Sequence, residues 1–174
     1  MLDLPDAIAG VLPEAVDTLP SLAKLYRMAS SFLYLGRGYQ FPVALEGALK
    51  LKEISYIHAE GLAAAEMKHG PIALIDQFMP VVVVAPANDE VYGIVSANVK
   101  EVRARYGSVI VVTTEGNHDF DEDAEAVIHV PPTMDFLSPI LTVIPLQLLS
   151  YYIADMRGCA IDQPRNLAKS VTVE

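Results

Sequence analysis

The sequence predicts an α/β protein with a mainly parallel sheet, on two observations. Short continuous apolar runs rich in β-branched residues, such as Val81 to Ala85 and Val109 to Thr113, alternate with amphipathic stretches of helical length. Strands buried on both faces read as continuous runs of this kind, whereas strands with one solvated face alternate. The first run, Phe32-Leu33-Tyr34-Leu35, leads through Gly36-Arg37-Gly38 to Pro42 at the head of a helical stretch. Strand, glycine turn and helix form the opening unit of a parallel α/β sheet.

The elements follow in order. Residues 3 to 31 read as helical, with Pro5, Pro13 and Pro20 punctuating amphipathic stretches such as Ser21 to Ser30, where Leu22, Leu25 and Met28 recur at helical spacing. Residues 1–31 are therefore expected to form a helical segment packing on the domain. The strand at Phe32 to Leu35 precedes a helix from Pro42 to about Ile57. Val81 to Ala85 is expected as a strand, Glu90 to Arg105 as a helix, and Val109 to Thr113 and Ala126 to Val130 as two further strands. After Pro139 an apolar helix runs to about Met156, and its inner Pro145 predicts a kink or a break. The domain spans 32–157. From Gly158 the amphipathic period stops, leaving a tail over 158–174.

Composition narrows the function classes. A chain of 174 residues that is 52% hydrophobic can bury a substantial core. Its apolar runs are short, against about 20 consecutive apolar residues for a membrane span, so no membrane partner is expected. Met1-Leu2-Asp3-Leu4-Pro5-Asp6 lacks the basic start of a secretory signal and Cys159 has no second cysteine to pair with, which makes a reducing cytoplasm the expected location. Twelve basic against 22 acidic residues give a net charge of −10, the wrong sign for binding nucleic acid. The lone cysteine and His58, His69, His118 and His129 show no ligand-pair spacing, so no metal site is expected. Asp119-Phe120-Asp121-Glu122-Asp123 reads as a solvated acidic connection.

Within the long helix Glu46, Lys50 and Glu53 stand at i, i+4 and i+7 and share one face. Leu45 and Leu49 flank this stripe on one side, Val43 and Ile54 on the other. Lys50 can reach both carboxylates and hold them in position, and a positioned carboxylate is what proton abstraction beside a carbonyl needs. The alternative is a set of structural i,i+4 pairs, each contributing a few tenths of a kcal/mol. In Glu66-Met67-Lys68-His69-Gly70-Pro71, the Gly-Pro turn would end a short helix and present His69 at its C-terminus, either for proton transfer or as a simple cap. Lys169 lies in the irregular tail; it is a solvated charge unless the tail docks, in which case a partly desolvated amine could act as a Schiff-base nucleophile. Gly36-Arg37-Gly38 could cradle a phosphate, but tight-turn geometry explains it as well. The turn Pro86-Ala87-Asn88-Asp89-Glu90 carries two acids where an anion would sit, against phosphate binding there.

The segments Ala44 to Glu60, Glu66 to Pro71 and Asp162-Gln163-Pro164-Arg165-Asn166-Leu167-Ala168-Lys169-Ser170 through Glu174 resemble the second sugar-isomerase (SIS) subdomain of the glucosamine-6-phosphate synthase family. The resemblance covers residues 32 to 174. It implies the SIS fold, a three-layer αβα sandwich with a flavodoxin-like sheet, and the conversion of fructose 6-phosphate and glutamine-derived ammonia to glucosamine 6-phosphate. By that resemblance Glu53 matches the general base that moves a proton between C1 and C2, Lys169 the lysine that forms a Schiff base with the open-chain sugar, and His69 the histidine of ring opening. Glu46, Lys50 and Arg165 match groups that bind or orient the substrate. It implies a homodimer, because the family's histidine comes from the adjacent subunit, and no cofactor. Against the family pattern, the glutaminase domain and the first SIS subdomain, with its Ser/Thr-rich phosphate loop, are missing. The expectation is therefore the C-terminal part of an isomerase module, incomplete alone, as a piece of a longer protein. The competing expectation is a short non-catalytic SIS module that binds a phosphosugar or regulates a partner.

Overall fold

The computed structural model describes residues 3–87 and 89–167. Helix α1 spans Leu4–Tyr26, followed by β1 (Ser31–Gly36), α2 (Gln40–Ser55), β2 (His58–Ala63), two 3-10 turns at Ala64–His69 and Pro71–Leu74, β3 (Pro80–Val84), α3 (Tyr92–Arg103), β4 (Ser108–Thr114), β5 (Ala126–Val130) and α4 (Ser138–Met156). All five strands are parallel in the order β2-β1-β3-β4-β5. That is the flavodoxin order, with its switch point between β1 and β3.

Alternate residues of each strand face opposite layers. Phe32, Tyr34, Val82, Val84, Ile110, Val112, Ile128 and Val130 share one core with the buried faces of α1, α2 and α4. Leu33, Leu35, Val81, Val83, Val109 and Val111 share the other with Ala64, Met67, Ile75, the α3 residues Val95, Val99 and Val102, and Phe120. Three helices thus cover one face, and α3 with the 3-10 turns covers the other.

Several elements differ from the sequence expectation. β2 was not anticipated: His58-Ala59-Glu60-Gly61-Leu62-Ala63 has no β-branched residue. Pairing with β1 along its whole length makes it a strand, and α2 lies so close that a Cβ on Gly61 would come 2.7 Å from Leu45 Cα. Helix α1 is continuous through Pro13 and Pro20. Its buried series Ala7, Val11, Ala15, Leu19, Leu22 and Ala23 offsets the lost backbone bonds, since full burial of a Val or Leu contributes about 1.5–3 kcal/mol. α1 packs along α4 and β5, and Glu14 Oε1 accepts bonds from His129 N at 2.9 Å and pairs with His129 Nδ1 at 3.0 Å.

Helix α4 does not break at Pro145, which is itself buried. The stretch Asp135–Met156, mean hydropathy 1.5, is long and apolar enough to cross a membrane by length and composition, although no single apolar run within it is long. In this fold α4 runs between α1 and α2, which accounts for its apolar buried face. A buried polar network ties its start to that of α2: Gln40 Nε2 donates to Ser138 Oγ at 2.7 Å, and Thr142 Oγ1 donates to Gln40 Oε1 at 2.8 Å.

Candidate active site

Helix α2 carries the charged stripe from one edge of the sheet to the other. It begins just after Gly36, the last residue of β1, and ends before His58, which pairs with Ser31 at the start of β1. The stripe therefore descends toward the amino edge of the strands. A Cβ on Gly36 would fall 2.1 Å from Gln40 O, and Gly38 has φ +55°. Chain reversal alone thus requires these glycines, so the turn reading of Gly36-Arg37-Gly38 accounts for them.

Lys50 Nζ lies 2.8 Å from Glu53 Oε2 and 3.7 Å from Glu46 Oε1. The hydrogen bond to Glu53 holds the lysine above its ordinary pKa, burial pulls it down, and the charge of Glu46 adds to the rise. Both flanking leucines are open to solvent, Leu45 at 44% and Leu49 at 42%. On the other flank Val43 is buried and Ile54 half-buried.

The tail returns to this edge. After α4 ends, Arg157 Nε donates to Ser55 O at 3.0 Å and its Nη1 donates to Arg27 O, fastening the ends of α2 and α1 together. Arg165 N donates to Tyr56 Oη at 2.9 Å, and the guanidinium carbon of Arg165 stands 4.1 Å above the centre of the Tyr56 ring. Leu49, Lys52, Glu53, Tyr56, Arg165, Asn166 and Leu167 line one groove of about 360 Å³. A larger hollow of about 730 Å³ lies between the start of α1 and the loop after β5. Its lining is largely apolar and includes none of the candidate groups, so the smaller groove is the better candidate.

The expected residues thus fall into three sets. Glu53 and Arg165 line one groove at the end of α2, with Lys50 bonded to Glu53, while Glu46 stands 3.7 Å from Lys50 in the middle of the helix and lies outside that groove. His69 ends the 3-10 turn Ala64–His69, stopped by Gly70 at φ 146°, and it is exposed. Met67 of that turn packs in the core on the α3 side of the sheet, and Lys68 Nζ pairs with Glu101 Oε1 of α3 at 2.6 Å. Glu53 and His69 are therefore on elements covering opposite faces of the sheet. Lys169 lies outside the described residues. Tyr56 was not singled out from sequence; the available signal was a tyrosine at the end of a charged helical stripe, just before the chain reverses. Among the described residues no group of three or more His, Cys, Asp and Glu could hold a metal ion.

Comparison with known proteins agrees with this architecture. The chain is 56% identical over 174 residues to glutamine–fructose-6-phosphate aminotransferase (isomerizing) of Chlorobaculum tepidum, covering 100% of this chain and 28% of the relative. It is 55% identical over 172 residues to the Bacteroides thetaiotaomicron protein of the same name, covering 97% and 28%. The chain thus spans about 28% of the length of these curated relatives, and it aligns with their C-terminal part. Among solved structures, the C-terminal domain of glucosamine-fructose-6-phosphate aminotransferase from Francisella tularensis superposes with a TM-score of 0.83 at 38% identity, over 91% of this chain and 44% of that one. Glucosamine-6-phosphate deaminase from Thermotoga maritima gives a TM-score of 0.69 at 28% identity, over 95% and 48%. The SIS domain model matches residues 25–156, from the end of α1 through α4, and the chain belongs to the SIS domain family.

Proposed function

We propose that this chain is the C-terminal part of the isomerase module of an isomerizing glutamine–fructose-6-phosphate aminotransferase, supplying part of a sugar-phosphate site. The observation that carries the reading is the groove at the end of α2, where Glu53, held by Lys50, faces the tail that leads to Lys169. Its substrate would be a sugar phosphate, fructose 6-phosphate on the way to glucosamine 6-phosphate.

The chemistry asks for an amine, a base and an acid. The Lys169 amine adds to the keto carbon C2 and water leaves, giving an imine; ammonia then adds at C2 and expels the lysine amine, leaving the free sugar imine. Glu53 removes the C1 proton and returns it at C2, so that C1 becomes the aldehyde and C2 carries the new amino group. Glu46 and Lys50 keep the base in place, Arg165 orients the tail, and His69 moves the proton of ring opening. No cofactor is needed for these steps.

Because Glu53 and His69 stand on opposite faces, the histidine would come from a second copy, which is why we infer a homodimer. Exposed Leu45 and Leu49 beside the charged stripe suit a face covered on assembly. The remaining parts would be an N-terminal SIS subdomain holding the phosphate and a glutaminase domain releasing ammonia, in a reducing cytoplasm. Residues 1–31, 32–157 and 158–174 would then act as packing helix, SIS domain and catalytic tail.

The test is trapping of the imine with borohydride in the presence of fructose 6-phosphate. In the assembled enzyme to which we assign the chain, one reduced sugar-phosphate adduct should map to Lys169 by mass spectrometry, and Lys169→Ala should gain none. Equal labelling of that variant would remove Lys169 from the chemistry. A chain that binds the sugar phosphate but forms no adduct would be a non-catalytic phosphosugar-binding module.

A further inference from the structure

We propose that Tyr56 is a positioning residue, a latch that seats the C-terminal tail at Arg165 and so holds Leu167 against the groove containing Glu53. This rests on the proposed role of the tail, but the latch is a claim about described residues and stands or falls separately. Three observations meet at Tyr56. Its hydroxyl accepts the backbone N–H of Arg165, 109 positions away, at 2.9 Å. Its ring lies under the Arg165 guanidinium at 4.1 Å, within cation–π range. Its backbone is left-handed, φ 63° and ψ 15°, a conformation that costs any residue with a side chain about 1–2 kcal/mol and is usually given to glycine at a helix end.

A bulky aromatic in the place of a helix-ending glycine needs a reason. The left-handed turn ends α2 one residue after Ser55, with Tyr56 N bonded to Lys52 O at 3.2 Å, and the ring lines the groove beside Glu53. On the tail side Asn166 is also left-handed, φ 65°, which turns the chain straight after the latch point; asparagine adopts this region more readily than most residues. Upstream, Arg157 donates to Ser55 O, the carbonyl just before Tyr56. The tail is thus fastened twice to the same helix end, at Arg157 and at Arg165, with residues 158–164 between. Arg165 by this account acts by holding the tail, not by touching the sugar.

Trypsin reports the latch directly, because cleavage after Arg165 requires the guanidinium to leave the Tyr56 ring. In the full chain, Tyr56→Leu should raise the rate of that cleavage about tenfold, the combined effect of one ring contact and one hydrogen bond. Tyr56→Phe, which keeps the ring and loses the acceptor, should fall between. Cleavage after Lys100 of α3, on the opposite face of the sheet from α2, serves as the internal reference. In the assembled enzyme, borohydride trapping with fructose 6-phosphate should fall in the order wild type, Tyr56→Phe, Tyr56→Leu, a graded loss that a merely structural role would not produce in a folded variant. An unchanged cleavage rate after Arg165 in Tyr56→Leu overturns the latch whatever trapping shows. Faster cleavage with undiminished trapping overturns its positioning role. Faster cleavage when wild type itself is not trapped keeps the latch and removes the Lys169 chemistry instead. Should Tyr56→Leu fail to fold, Arg165→Gln, on the exposed side of the contact, is expected to speed amide hydrogen exchange over residues 165–167 by a similar factor, and unchanged exchange there would overturn the latch.

Discussion

The two edges of the sheet are built differently. At the carboxyl edge, beside the switch point, the turn after β3 brings Asp89 near Glu90 and Asp135. Burial first, then the charges of Asp135 and Glu90, push the Asp89 carboxyl above its usual range, while Val91 N–H and Arg37 oppose the rise. Asp135 Oδ1 is buried and, among the described residues, has no hydrogen-bond partner. At the amino edge charges are matched instead: Lys50 between Glu46 and Glu53, Arg165 over Tyr56, Arg157 on two helix-end carbonyls. Open α/β sheets ordinarily bind ligands at the carboxyl ends of their strands, at the switch point. Here that crevice disfavours an anion, and the chemical candidates sit at the opposite end of α2. Such a division suits a chain that supplies reactive groups to a site whose phosphate holder is another unit.

The largest effect should come from breaking the amino edge chemically. In the assembled enzyme to which we assign the chain, Glu53→Gln should lower kcat by about 10²–10⁴-fold, the usual contribution of a general base. Mixing Glu53→Gln and His69→Ala subunits should recover part of the rate, since some sites in the mixed dimers keep both groups. A mixture no faster than its components would place both groups in one chain.

At the carboxyl edge the first test is Gly36→Ala. Its methyl would meet Gln40 O, a backbone atom that cannot swing away, and unfolding in urea should show a loss of about 2–3 kcal/mol, at the upper end for overpacking. Back at the amino edge, Arg157→Met removes two bonds to helix-end carbonyls and should cost about 1 kcal/mol by the same assay. Smaller still is the effect of Asp89→Asn, which keeps the Oδ1 acceptor for Val91 N and discards the charge. A carboxyl whose pKa is raised on folding favours the folded state at low pH, and that advantage is lost as pH rises through the folded value. The variant should therefore be more stable than wild type near pH 7, by roughly 0.5 kcal/mol at most because solvent screens the charge of this partly exposed carboxyl. The gain should vanish below the unfolded pKa of about 3.9, and a gain that persists there would assign it to something other than charge. Lys50→Met should change stability least, by about 0.5 kcal/mol or less, because the pair is about a third exposed.

The central strands were readable because each is buried on both faces and must be a continuous apolar run, as β3 with Pro80 to Val84 shows. β2 was not, because its Ala, Gly and Glu are held by pairing to β1 and by α2, which a local pattern does not contain. Nor did Pro13, Pro20 and Pro145 break their helices, since burial along α1 and α4 outweighs missing donors. At the site, the Glu46-Lys50-Glu53 stripe followed from 3.6-residue periodicity alone. That His69 lies across the sheet from Glu53 depends on the topology of the β2–β3 connection, and the latch at Tyr56 depends on a left-handed residue and a partner 109 positions distant.

The most direct test is conversion of fructose 6-phosphate to glucose 6-phosphate by the purified chain, followed with a coupled dehydrogenase and with Lys169→Ala as control. A chain that holds reactive groups without a phosphate site should convert none. Conversion that disappears in Lys169→Ala would contradict the account, because copies of this chain alone would then build a complete isomerase, phosphate site included.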